Sequence, residues 1–137
     1  MNIFIADIKD LPHHWPRCVD HISRACDSTN GEMTIATNRD SVMKGDSWLI
    51  VVEDEYNNVL AAMTSHLMVC DTGLRILVIP SVGGDHMDEW ADEFIDFVKQ
   101  MRDMLLCDRI RGGGRKGWLR YLKQYGFREA YTVVDME

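Results

Sequence analysis

Residues 112–127 read Gly112-Gly113-Gly114-Arg115-Lys116-Gly117-Trp118-Leu119-Arg120-Tyr121-Leu122-Lys123-Gln124-Tyr125-Gly126-Phe127. Three glycines followed by apolar residues at helical spacing predict a sharp turn that opens a helix over 115–125, with Gly126 as its stop. Leu119, Leu122 and Phe127 face the core. A short strand over 108–111 leads into the turn, and a last strand over 127–134 leaves the helix. Gly112 to Gly117 match G-x-G-x-x-G literally. A dinucleotide fingerprint, however, needs a wider parallel sheet to follow, and 20 residues remain after Gly117. Two readings of the glycines stay open. They form a sharp strand-to-helix turn needing positive φ, or they offer backbone N–H groups to an anion.

Upstream lies the clearest helix. Met87, Trp90, Ala91, Phe94, Phe97, Val98, Met101, Met104 and Leu105 make one apolar stripe, with Asp88, Glu89, Asp92, Glu93, Asp96 and Lys99 on the other side. Before it, 48–53, 59–69 and 74–80 read as three strands joined by the turns 54–58 and 71–73, hence antiparallel neighbours. Residues 2–6 predict a first strand. Leu11, Trp15, Val19, Ile22 and Cys26 predict a helix with Pro12 or Pro16 in its first turn. A second helix runs from about Glu32 to Lys44, stopped by Gly45. The order is β-α-α-β-β-β-α-β-α-β.

With 137 residues, 46% of them apolar, the chain suits one packed domain over 1–137 and excludes wholesale disorder. Lys and Arg number 15 against 22 Asp and Glu, a net charge of −7 that opposes bulk binding to DNA or anionic membrane. The charge is sorted. Residues 109–128 carry seven basic residues and no acid, whereas 85–108 carry eight acids against Lys99 and Arg102. No apolar run approaches the roughly 20 residues of a membrane span, and no signal-peptide pattern opens the chain. Cys18, Cys26, Cys70 and Cys107 form no CxxC pair and read as reduced, mostly buried thiols. Cys18, His21 and Cys26 supply three ligands at a spacing unlike a zinc knuckle, so no metal is expected.

Three side chains are candidates for proton transfer. His66, inside a predicted central strand, is either a general base or a hydrogen-bonded core histidine. Tyr121 and Tyr125, four apart and so on one helix face, are either general acids or half-buried packing residues. No serine elbow, Walker loop, HExxH or kinase signature is present.

The element order and Trp118–Phe127 together resemble the GNAT superfamily of acyl-CoA-dependent N-acyltransferases, whose fourth helix ends in a Gly-Phe pair. The closer likeness is to small GNAT-like proteins of tailed bacteriophages, through Gly31-Glu32-Met33-Thr34, Trp48-Leu49-Ile50-Val51-Val52 and Gly114-Arg115-Lys116-Gly117-Trp118. The resemblance implies an α+β (or α/β) fold: a mixed, mostly antiparallel sheet of six to seven strands flanked by four helices and splayed between its fourth and fifth strands. It implies an N-acyltransferase taking acetyl-CoA and an amine acceptor. The pantetheine would lie between the splayed strands around 76–81, with Ile79, Ser81 and Val82 among the cofactor-binding residues. The pyrophosphate would lie on Gly83 and Gly84, with Arg115 among the basic residues from Arg109 to Lys116 compensating for a missing loop arginine. His66 with Tyr121 or Tyr125 would move protons. The family's loop pattern Q/R-x-x-G-x-G/A becomes Pro80-Ser81-Val82-Gly83-Gly84-Asp85-His86-Met87 here, without its Arg or Gln and with Asp85 added. The family's tyrosine acid aligns with Leu122. The alternative implied is a catalytically silent virion protein, assembling or ejecting DNA through its charge-sorted faces, with phage structural proteins as partners and DNA contact through 109–128. The location implied is host cytoplasm or virion interior.

Overall fold

The computed structural model describes residues 1–29, 31–114 and 116–137. Strands β1 (Asn2–Ile5), β2 (Trp48–Glu53), β3 (Val59–Val69), β4 (Arg75–Ile79), β5 (Gly83–Gly84) and β6 (Arg109–Gly112) form one sheet; the helices are α1 (Leu11–Asp27), α2 (Ile35–Met43), α3 (Met87–Met104) and α4 (Lys116–Leu122). The path across the sheet is β1-β2-β3-β4-β6, and β5 pairs with β3. Every pairing is antiparallel except that of β4 with β6. This is the mixed α+β architecture expected from the sequence.

Alternation along the strands sends side chains to two layers. On one face Leu49, Val51 and Ala62 meet Leu11, Trp15, Cys18, Ile22 and Cys26 of α1 and Val42 of α2. On the other, Ile50, Val52, Ala61, Met63, Leu77 and Ile79 meet Trp90, Phe94, Ile95, Val98 and Met101 of α3, with Leu122, Tyr125 and Phe127 against the same cluster. Helix α2 starts at Ile35, where Thr34 caps Thr37 and Thr37 returns the bond, so the 32–34 stretch stays outside it. Helix α4 runs into a 3-10 turn over Lys123–Tyr125, closed by Gly126 at φ 89°. None of the described helices is long and apolar enough to cross a membrane.

Two expectations about strands need correction. The predicted fourth strand over 74–80 ends at Ile79, because Pro80 has no N–H to continue the ladder; pairing resumes on β3 at Gly83–Gly84. The predicted last strand over 127–134 does not form. Residues 127–137 have no regular structure, and Val133 and Val134 are 70% and 85% exposed. Their β-branched side chains find no sheet face to cover, and β propensity without burial or a partner strand holds no strand. The sixth strand of the sheet is therefore Gly83–Gly84.

Candidate functional site

β4 and β6 run parallel from the Ile76/Arg109 pair to the Ile79/Gly112 pair and then part. On one side of the opening the chain steps over Pro80 to β3. On the other it passes Gly113, where a Cβ would sit 3.1 Å from the Pro80 carbonyl, and Gly114, which lies under the Trp118 indole with a Cβ position 2.9 Å away. Close approach is what these two positions require; neither has positive φ. Between the diverging arms lies a cleft of about 280 Å³ lined by Arg24, Ser28, Val82, Gly83, Gly84 and Trp118.

The two glycines of β5 contribute differently. The Asp85 N–H donates to the Leu60 carbonyl (2.8 Å), which makes Leu60/Asp85 a hydrogen-bonded pair of the ladder. By alternation Ala62/Gly83 is the next such pair, and Ala61/Gly84 between them is not. The Gly83 N–H thus serves the sheet, while Gly84 turns its N–H and carbonyl from β3 toward the open edge. Ile79 points into the α3 core, Ser81 is half-buried, and Val82 borders the cleft. Arg115 lies outside the described residues.

The charge in the cleft comes from α1. Arg24 donates to both Asp85 oxygens, at 3.1 and 3.4 Å, and its Nη2 also meets His21 Nδ1 at 2.8 Å. His21 Nε2 lies 3.1 Å from the Val59 carbonyl, so this buried ring has both nitrogens engaged. The Arg24 hydrogen bond holds the Asp85 carboxyl below the usual carboxylate range. Trp90 Nε1 donates to the Asp85 carbonyl at 2.7 Å. Helix α3 begins at His86, which sits in the left-handed region (φ 56°) and gives no side-chain cap; Asp88 and Glu89 occupy the first turn.

The proton-transfer candidates are not gathered in one place. Thr64 donates to Asn38 of α2, so His66, two residues further along β3, faces the α1/α2 side. Burial pushes its pKa down. Tyr125 packs with the α3 cluster on the opposite face and donates to Asp92 at 2.5 Å, a bond that pushes the phenol pKa well up. Tyr121 lies between its neighbours, edge-to-face with the Trp118 ring at 6.3 Å and tilted against Tyr125 at 6.0 Å. Among the described residues, Val82, Gly83 and Gly84 are the sequence candidates that border the cleft.

Arg24 and Ser28 were not among those candidates. Their signal was present: Arg17, His21, Arg24 and Ser28 recur at spacings of four and three, a polar stripe beside the apolar stripe of the same helix. Nothing in the sequence said that the stripe borders Gly83.

No family model and no curated protein matches the sequence. Solved structures do match over its whole length. A probable acetyltransferase superposes with a TM-score of 0.72 at 16% identity, covering 100% of this chain and 99% of that one. The ribosomal-protein-alanine N-acetyltransferase of Brucella melitensis biovar Abortus 2308 gives 0.72 at 8% identity, with 100% and 99% covered. A predicted acetyltransferase of Clostridium acetobutylicum, solved with acetyl-CoA, gives 0.68 at 14% identity, with 99% and 95% covered. At such identities the likeness is one of fold, and the chain has the GNAT fold.

Proposed function

We propose that the protein is an acyl-CoA-dependent N-acyltransferase whose donor enters the cleft where the chain parts beyond β4 and β6. The observation that carries this reading is the open strand edge at Gly84 beside a 280 Å³ cleft. An extended amide-bearing arm such as pantetheine can pair with a free edge as a strand would. Val82 and the Trp118 indole offer it apolar contact, and Arg24 offers the positive charge that the loop after β5 lacks. The residues present therefore fit the thioester arm of acetyl-CoA, which when bound would supply the acyl group.

Transfer to an amine breaks a C–S bond and forms a C–N bond, so the departing sulfur needs a proton and the attacking nitrogen loses one. Contact with Trp118, a cleft residue, supports Tyr121 as the proton donor. Tyr125 is committed to Asp92, and His66 lies on the face of the sheet opposite to Tyr125. Tyr121→Phe then lowers kcat for acyl transfer while leaving KM for acetyl-CoA unchanged.

Calorimetry with acetyl-CoA tests the reading directly. Binding in the micromolar range by the wild type, lost in Ser28→Trp, supports it, since Trp at 28 fills the cleft from the end of α1. No heat from folded protein at millimolar acetyl-CoA overturns it and leaves the silent assembly reading, in which the acidic α3 face and the basic 109–128 segment act as docking surfaces.

A further inference from the structure

Arg24 stands at the cleft wall, and its pairing with Asp85 is an arrangement that an incoming anion would have to break. The guanidinium addresses both carboxylate oxygens through its two terminal nitrogens, 3.1 and 3.4 Å away. A fork on two oxygens of one group is also how arginine holds phosphate. We propose that Arg24 is the anion-binding residue of the cleft and that the Asp85 carboxylate is a built-in competitor, displaced when a diphosphate-bearing ligand binds. The identity of that ligand as an acyl-CoA rests on the reading above; the anion site does not.

Arg24 does not depend on Asp85 for its position. The Val59 carbonyl can only accept, so His21 Nε2 carries the proton and Nδ1 accepts from Arg24 Nη2 at 2.8 Å. His21 is 8% exposed, and this buried ring anchors the guanidinium at the cleft when the carboxylate leaves. Asp85 is fixed by its backbone instead, through the Leu60 carbonyl and the Trp90 indole. Its side chain is 54% exposed, so displacement needs a side-chain rotation and no movement of β5 or α3. Elsewhere around α3's first turn the charge is negative, from Asp88 and Glu89. A diphosphate arriving while Asp85 holds Arg24 meets net repulsion; once the carboxylate swings into solvent, a fork donor is free.

Inorganic pyrophosphate titrated calorimetrically into the full chain tests the proposal. Asp85→Asn removes the competing charge and keeps the side-chain volume, and affinity rises roughly two- to fivefold over wild type, the scale of an exposed ion pair. Asp85→Ser gives the same gain, so either folded variant suffices. Adding Arg24→Gln to each removes the gain, and adding Arg24→Lys, which keeps the charge without the fork, retains part of it. Equal affinities of wild type and both Asp85 variants overturn the proposal, as does tight binding that survives Arg24→Gln. The two readings fail separately. Acetyl-CoA binding by the wild type together with equal pyrophosphate affinities of wild type and Asp85 variants defeats the anion site and leaves the acyltransferase; the pyrophosphate pattern without any acetyl-CoA binding does the reverse.

Discussion

Gly83 and Gly84 are adjacent and both lack a side chain for reasons of close packing, but against different partners. A Cβ on Gly83 would lie 2.0 Å from the His21 carbonyl oxygen, a backbone atom of α1, and one on Gly84 would lie 2.5 Å from the Ala61 Cβ. Neither contact can relax by turning a side chain. Gly83→Ala is therefore expected to cost about 3 kcal/mol or more, by pushing α1 off the sheet. Gly117→Ala is the matched control, because nothing lies within 4 Å of its Cβ position. Urea denaturation of the two variants checks this, and equal midpoints would refute the packing account. From sequence the glycine pair suggests donors for a phosphate, because the pattern of the residues is local. The contact that demands glycine joins positions some sixty residues apart, and no local pattern reports it. Arg24 illustrates the same limit, since a polar stripe can be read from spacing while the cleft it borders cannot.

Helices α1 and α3 were legible because each carries an apolar stripe at helical period, and the β2–β3–β4 meander because apolar runs alternate with short turns. What escaped were elements decided by partners. Pro80 divides one expected strand into β4 and β5, and the 127–134 segment has strand-like composition with no neighbour to pair with. Around it, Phe127 packs against the α3 cluster, and beyond that the tail makes a cation–π contact from Arg111 to Tyr131 (5.5 Å). Deletion of residues 129–137 should accordingly shift the melting temperature by no more than about 2 °C; a larger loss in a thermal scan would show that the tail pairs with the sheet. Tyr125 has the opposite role. Its bond to Asp92 ties the end of α4 to α3, so Tyr125→Phe should lower the melting temperature at pH 7 by on the order of 2 °C. The phenol pKa is raised in the folded chain, chiefly by that hydrogen bond, so its contribution is complete below the unfolded value near 10 and fades as pH rises above it. The gap between wild type and Tyr125→Phe should hold up to about pH 9.5 and narrow progressively as the pH rises beyond 10, and a gap that stays constant would refute the assignment.

Across the whole molecule the net charge of −7 says less than where the charges sit. Asp88, Glu89, Asp92, Glu93 and Asp96 line α3, and Arg109, Arg111, Arg120, Lys123 and Arg128 follow in β6, α4 and beyond. The acidic run flanks the start of α3, and the cleft's cation comes from α1 on the other side of the opening, so the fold supplies from a distant helix what the loop lacks. The response to acid divides by residue type in the same way. Burial lowers the pKa of His66, and burial followed by the neighbouring His13 charge lowers that of His14, whose ring also stands 5.2 Å from Phe4. For both, the unfolded chain takes up protons first. The stability they confer is whole above the unfolded value near 6.5 and declines as pH falls below it. Asp54 and Asp85 also have lowered pKa values, each chiefly through a hydrogen bond to the carboxylate, from the Asn58 backbone and from Arg24 respectively. Their contribution is lost only below the unfolded carboxylate value near 4. Melting temperature should therefore fall in two steps, one between pH 7 and 5 and one below pH 4. His66→Asn should shrink the first and leave the second unchanged, while Asp85→Asn should do the opposite. A single acid transition, insensitive to His66→Asn, would show that His66 keeps its ordinary affinity for a proton in the folded sheet.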